Sequence, residues 1–135
     1  MKYLPILCLI LAPVGIGDAN ASIGNNQAQI TALYGKPLDP GTTDNDGVTT
    51  NMYQKGDYLI LVQFAKGHST SESYARMDKN KLSDREPSIF LKANSGGGDW
   101  KRAEGKLAWD RSNGNVRAWC ETLAGRPTLL IHSKS

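Results

Sequence analysis

Cysteine is scarce in this chain: Cys8 and Cys120 are the only two among 135 residues. Two thiols cannot build the several bridges of a disulfide-stapled scaffold. Long apolar runs are also missing. Tyr3 to Ile16 is apolar but is broken by Pro5, Pro13 and Gly15, short of the roughly 20 apolar residues that a membrane span requires. Charge of one sign is barely in excess, with 16 Lys+Arg against 13 Asp+Glu and a net charge of +3. Nucleic-acid binders gather Lys and Arg on one face, so this scattered surplus excludes nucleic acid as the expected partner. Histidine is limited to His68 and His132. What the chain does have is three Trp, five Tyr and two Phe, enough to seed one core and to argue against disorder. The length allows a single domain.

The N-terminus reads as an address. Met1-Lys2 gives a short positive start, the broken apolar stretch follows, and Asp18-Ala19-Asn20-Ala21 ends in small-x-small. This pattern predicts a Sec-type signal peptide over 1–21, cleavage after Ala21, and a periplasmic or secreted domain over 22–135. A lipid anchor would need a Cys directly after the cut, and Cys8 lies too early. Cleavage leaves Cys120 as the sole thiol. It falls in the alternating run Val116, Ala118, Cys120, Thr122 and is expected to be a buried small hydrophobe.

The mature chain predicts two helices and a set of antiparallel strands. Ile23 to Tyr34 has near-helical apolar spacing with Ser22 as a candidate cap, and Gly35 and Pro37 end it. Residues 36–48, rich in Pro, Gly and Asp, read as a surface loop. The period then changes to two. Val48–Gln54, Tyr58–Ala65 and His68–Met77 are separated by Lys55-Gly56 and Lys66-Gly67, which suit two-residue hairpin turns. With both turns tight, Tyr58, Ile60, Val62 and Phe64 share the core face with Ser71, Ser73 and Ala75. Met52, Leu59, Leu61 and Tyr74 then share the opposite face with Glu72 and Arg76.

Ser83-Asp84-Arg85-Glu86 is a capping-box sequence, with Leu82 in the staple position. It opens a second helix whose buried stripe is expected to be Ile89, Phe90 and Ala93, ended by Asn94-Ser95-Gly96-Gly97-Gly98. Leu107–Arg111 and Val116–Leu123 flank Asn113-Gly114, a strong hairpin signal that sets Asp110 opposite Arg117. Trp100–Ala103 and Thr128–Ser133 complete the strands. The expected fold is α+β: one antiparallel sheet with two α-helices packed on one face, in the order α-βββ-α-β(β)ββ, as two related helix-plus-meander units.

Catalytic and metal constellations fail on their spacing. Asp44-Asn45-Asp46-Gly47 resembles part of a calcium loop, but Thr42 and Tyr53 stand where acids are needed. His68 and Glu72 are four apart, about 13 Å along a strand. No G-x-S-x-G elbow accompanies the serines near His68, and Gly96-Gly97-Gly98 lacks the G-K-[ST] ending of a phosphate cradle. No metal or cofactor is therefore expected. What remains is a surface: Met52, Leu59, Leu61, Tyr74 and Trp119, interleaved with charges including Arg117, on a sheet face that no helix covers. Aromatics rimmed by charge are how protein-binding patches look. The reading is a non-enzymatic exported module that binds an envelope or extracellular protein. The alternative is a small hydrolase or ligand-binding enzyme using His68 or His132.

Leu33-Tyr34-Gly35-Lys36-Pro37, Tyr53-Gln54-Lys55-Gly56-Asp57-Tyr58 and Ile60-Leu61-Val62-Gln63-Phe64 resemble the helix, Y/F-G-x-P, hairpin pattern of a small exported superfamily. That group includes the outer-membrane assembly lipoprotein small protein A and the β-lactamase inhibitory proteins. The order Y-G-K-P, K-G-D-Y, S-x-x-E is more closely similar to small exported bacterial proteins of unassigned function. The resemblance covers about residues 28–77 and implies a helix-on-sheet adaptor or inhibitor that acts by surface binding. The chain departs from it in having no anchor cysteine, one leading helix instead of two, and a single mature cysteine.

Overall fold

The computed structural model describes residues 23–134. The expected leader 1–21, its cut after Ala21, Cys8 and the Ser22 cap lie outside them. The elements are α1 (Gln27–Tyr34), β1 (Thr42–Thr43), β2 (Thr49–Lys55), β3 (Tyr58–Ala65), β4 (His68–Arg76), α2 (Glu86–Ala93), β5 (Trp100–Arg102), β6 (Ala108–Arg111), β7 (Val116–Leu123) and β8 (Arg126–Ser133). All eight strands form one antiparallel sheet in the order β1-β2-β3-β4-β8-β7-β6-β5. Two meanders thus meet where their last strands, β4 and β8, pair. The sheet does not close, and strand accounts for 44% of the described residues against 14% helix. This corrects the α+β expectation: the protein is a mostly-β sheet carrying two helices of eight residues each.

Both helices are shorter than the sequence pattern predicts, for local reasons. Gly24 and Asn25 spend their backbone on β4, with Gly24 N–H donating to Ser69 O at 2.9 Å and Ser69 N–H to Asn25 O at 2.7 Å. Helix α1 therefore starts after Asn26. The Asn26 side chain accepts from Gln29 N–H at 2.8 Å, and the Gln29 side chain accepts from Asn26 N–H at 2.9 Å. This reciprocal box satisfies two donors that a helix start leaves open. In α2 only half of the expected box forms. The Glu86 carboxylate accepts from Ser83 N–H at 2.6 Å, but Ser83 stays outside the helix and Pro87 falls in its first turn. The buried side of α2 is Glu86, Pro87 and Leu91. Ile89, expected in the stripe, is 59% exposed.

The segment 36–48 is not all loop. Asp44 Oδ1 accepts from Asp46 N–H at 2.9 Å and from Val48 N–H at 3.0 Å, an aspartate turn that folds the chain back. It brings Thr43 opposite Thr49 and Thr42 opposite Thr50, which makes β1.

Between β3 and β4 the Lys66-Gly67 turn is tight, with both residues at positive φ (54° and 84°), and Ala65 faces His68. The register then shifts. Phe64 faces Ser69 but Gln63 faces Ser71, so Thr70 is an extra residue. A bulge of one residue swaps the faces of everything after it. Glu72 and Tyr74 therefore point to the core, while Ser71, Ser73 and Ala75 point to the uncovered side. The covered face packs Tyr53, Ile60, Val62, Phe64, Tyr74, Val116, Ala118, Leu129 and Ile131 beneath Ile30 of α1 and Leu91 of α2.

Two polar clusters tie the helices down. Glu72 Oε1 accepts from Tyr34 OH at 2.8 Å and from Tyr74 OH at 2.5 Å, and Asn94 Nδ2 donates to Tyr74 OH at 2.9 Å. Tyr34 of α1 thus bonds the buried carboxylate directly, and Asn94 at the end of α2 is linked to it through the Tyr74 hydroxyl. Burial pushes the Tyr74 phenol well above its ordinary pKa, and the neighbouring Glu72 charge adds to the shift. At the start of α2, Glu86 accepts from Tyr58 OH and from Arg76 Nη1, the latter at 3.0 Å. Burial raises the Glu86 pKa, but the hydrogen bonds from Tyr58, Ser83 N–H and Arg76 outweigh it and leave the carboxyl below its usual range.

Candidate functional site

The face away from the helices is built in transverse rows, one residue from each strand. Its central row runs Met52, Leu61, Ser73, Leu130, Trp119, Ala108 across five strand pairings. A parallel row runs Gln54, Leu59, Ala75, Thr128, Glu121, and another runs Thr50, Gln63, Ser71, His132, Arg117, Asp110. Ser71, Ser73, Ala75 and Thr128, small and central, are almost fully shielded by their larger neighbours although no helix lies above them.

Where small residues line the middle and large ones the sides, the face sinks into a groove of about 450 Å³. Ser73, Ala75 and Thr128 form its floor. Met52, Leu59 and Leu61 rise on one side, and Leu123 with Ala124 on the other. Leu38 adds to the Met52 side, held by its N–H bond to Met52 O at 2.8 Å. Leu38 and Met77 are 49% and 37% exposed at the rim. Arg126 is the one charged residue among those lining it.

Of the residues singled out from sequence, Met52, Leu59 and Leu61 line this groove. Trp119 lies on the same face, half-buried, with its Nε1 donating to Glu121 Oε1 at 3.1 Å. Arg117 is exposed beside it and holds Asp110 by bonds of 3.0 and 3.4 Å, the cross-strand pair that the Asn113-Gly114 turn predicts. That contact lowers the Asp110 pKa and raises that of Arg117. Tyr74 is a correction. It is 1% exposed, on the covered face, because the Thr70 bulge inverts the phase of β4. Its ring stacks on Phe90 of α2, 4.3 Å between centroids. Leu38, Met77, Leu123, Arg126 and Leu130 join the site without having been expected there. Leu130 was findable, since it alternates with the buried Leu129 and Ile131.

A second cleft, about 750 Å³, opens on the helical side between residues 81–87 and the second meander, with Leu82, Pro87, Leu107 and Cys120 in its lining. Cys120 is half-buried there, and desolvation pushes its thiol pKa up, away from a reactive thiolate. The histidines do not gather a catalytic group. His68 is exposed beside its turn, with Nδ1 3.2 Å from Lys66 O. His132 is half-buried on the uncovered face between Ser71 and Arg117. Among the described residues no cluster of three His, Cys, Asp or Glu side chains could hold a metal ion, and no helix is long and apolar enough to cross a membrane.

No protein-family model matches the chain, and no curated protein matches it in sequence. Among solved structures, a cysteine-rich secretory protein from Staphylococcus aureus subsp. aureus Mu50 is similar in shape, with a TM-score of 0.49 and 12% identity. The match covers 83% of this chain and 43% of that one, so this chain spans less than half of its neighbour's length. A likeness of that size carries neither a family nor a function to this protein.

Proposed function

We propose that the protein is an exported, non-enzymatic binding module that docks a protein partner on the uncovered sheet face. The observation that carries this reading is the row Met52, Leu61, Ser73, Leu130 and Trp119, apolar except for the shielded Ser73 in its middle, with Arg117 and Glu121 on either side of Trp119. An apolar centre with an aromatic anchor and a charged margin is the anatomy of a protein interface. The leader-like N-terminal sequence supports a periplasmic or secreted setting for the partner.

A photo-crosslinking residue placed at Trp119 or Leu61 in producing cells is expected to trap one discrete partner. The same residue at Ile89, exposed on the opposite side, is expected to trap none. With the crosslinking residue placed instead at Glu121, exposed beside Trp119, replacing Trp119 and Leu61 together by Ala should remove the crosslinked product while the melting temperature stays nearly unchanged. A large loss of stability in that double variant would instead make these residues part of the fold's core and end the proposal. Mass spectrometry of the exported chain should find Ser22 at its N-terminus.

A further inference from the structure

The groove differs from the rest of the uncovered face in having one charge and almost no other polar partner. Arg126 Nη1 donates to the carbonyls of Arg76 and Met77 at 2.9 and 3.2 Å. These neutral groups fix the guanidinium without cancelling its charge. Arg76 and Arg117 each face a carboxylate, whereas among the described residues none lies within ion-pair distance of Arg126. A guanidinium carries five N–H donors, so Nε and Nη2 remain for an incoming anion at the edge of an apolar trough.

The walls also select against one kind of occupant. A polypeptide laid in the groove would bury N–H and C=O groups against leucine and methionine, at about 1–3 kcal/mol for each left unpaired. A hydrocarbon chain has no such groups, and burying it gains about 0.8 kcal/mol per CH₂. The volume of about 450 Å³ falls within the roughly 300–1,000 Å³ typical of small-ligand sites. We infer that this groove binds a single fatty acid, its chain along the Ser73–Ala75 floor and its carboxylate on Arg126. The inference goes beyond the docking of a protein, whose band shares Met52 and Leu61 with the groove wall but is anchored on Trp119 and Leu130 toward β7, outside the groove.

The test is calorimetric titration of the purified protein with dodecanoate below its micelle concentration, beside dodecyltrimethylammonium, which has the same chain and the opposite charge. One dodecanoate per chain is expected, bound at least ten-fold tighter than the cation. Arg126→Gln should weaken dodecanoate roughly ten-fold, and Arg126→Lys should restore much of it. Ser73→Leu or Ala75→Phe, which fill the floor from the uncovered side, should abolish binding; circular dichroism identifies which of the two remains folded. Trp119→Ala should bind as the parent does. Equal affinity for the two head groups, or undiminished binding to a folded floor-filling variant, would overturn the inference. So would absence of binding, whether light scattering reports one chain or a two-chain particle whose groove a second copy fills. Crosslinking at Trp119 is a separate readout, so either proposal can fail while the other stands.

Discussion

The two halves of the molecule share an order of elements and differ in what their helices cover. In the first half, α1 lies on its own meander: Ile30 is fully buried and the Tyr34 ring meets Tyr53 at 5.8 Å. In the second half, α2 leans across to the first. Phe90 packs on Tyr74 and, edge-on, against Tyr58 at 4.9 Å, while Glu86 and Asn94 bond to Tyr58, Arg76 and Tyr74. The second meander reaches α2 mainly through side chains that catch its C-terminal carbonyls, Trp100 Nε1 to Leu91 O at 2.6 Å and Arg111 Nη1 to Asn94 O at 2.7 Å. Both helices thus serve one half, and Trp100, Trp109 and Cys120 remain only partly covered. Similar secondary structure does not imply similar packing. The half with the bulged strand holds the large buried aromatics, and the other half rests on it.

The contrast would break most completely if the Thr70 bulge were removed. Deleting Thr70 puts Ser71, Ser73 and Ala75 under the helices and expels Glu72 and Tyr74, so no cooperative thermal transition is expected in circular dichroism. Next in size is Tyr74→Ala. It removes a buried aromatic from the junction of both helices and should cost about 3–5 kcal/mol in urea unfolding, whereas Trp109→Ala in the other half should cost about 1–2 kcal/mol. Equal losses would erase the asymmetry. A smaller effect is expected from acid. The Glu86 carboxyl has a lowered pKa in the folded state, so its contribution is complete above the unfolded value of about 4.3 and is lost as pH falls through the folded one. Glu86→Gln should flatten that part of the stability–pH curve while lowering stability at neutral pH. Smallest of all, Ile89→Ser and Leu107→Ser, both more than half exposed, should each change stability by no more than about 0.5 kcal/mol.

Much of the strand layout is legible in the sequence because glycine turns and period-two alternation are local signals. Tyr58–Ala65 and Val116–Leu123 have the bounds that those signals predict, and Asp110 meets Arg117. The helix starts are less legible, since Gly24 and Asn25 bond to Ser69, 44 residues or more away in the chain. The phase of β4 was hidden for a different reason. Ser69-Thr70-Ser71 has no glycine to mark an extra residue, and the charges of Glu72 and Arg76 argue for solvent. Each has a buried partner: Glu72 takes two phenols, and Arg76 pairs with the buried Glu86 as well as with the exposed Asp78. Size was the better guide, because burying Ser71, Ser73 and Ala75 in place of Tyr74 would leave the core underfilled. The site was half legible for the same cause: β2 and β3 supplied Met52, Leu59 and Leu61, but two of the three floor residues, Ser73 and Ala75, came from the strand whose phase was inverted.

The junction of β4 with β8 has a consequence for how such an architecture can arise. Antiparallel neighbours are interchanged by a two-fold rotation about an axis through the sheet, so each meander occupies the place that the other would take after a half turn. Two copies of a chain half this length, each one helix followed by four strands, could therefore assemble the same eight-stranded sheet as a homodimer. Joining them end to end would free each half to diverge, one toward a filled interior and the other toward open surface.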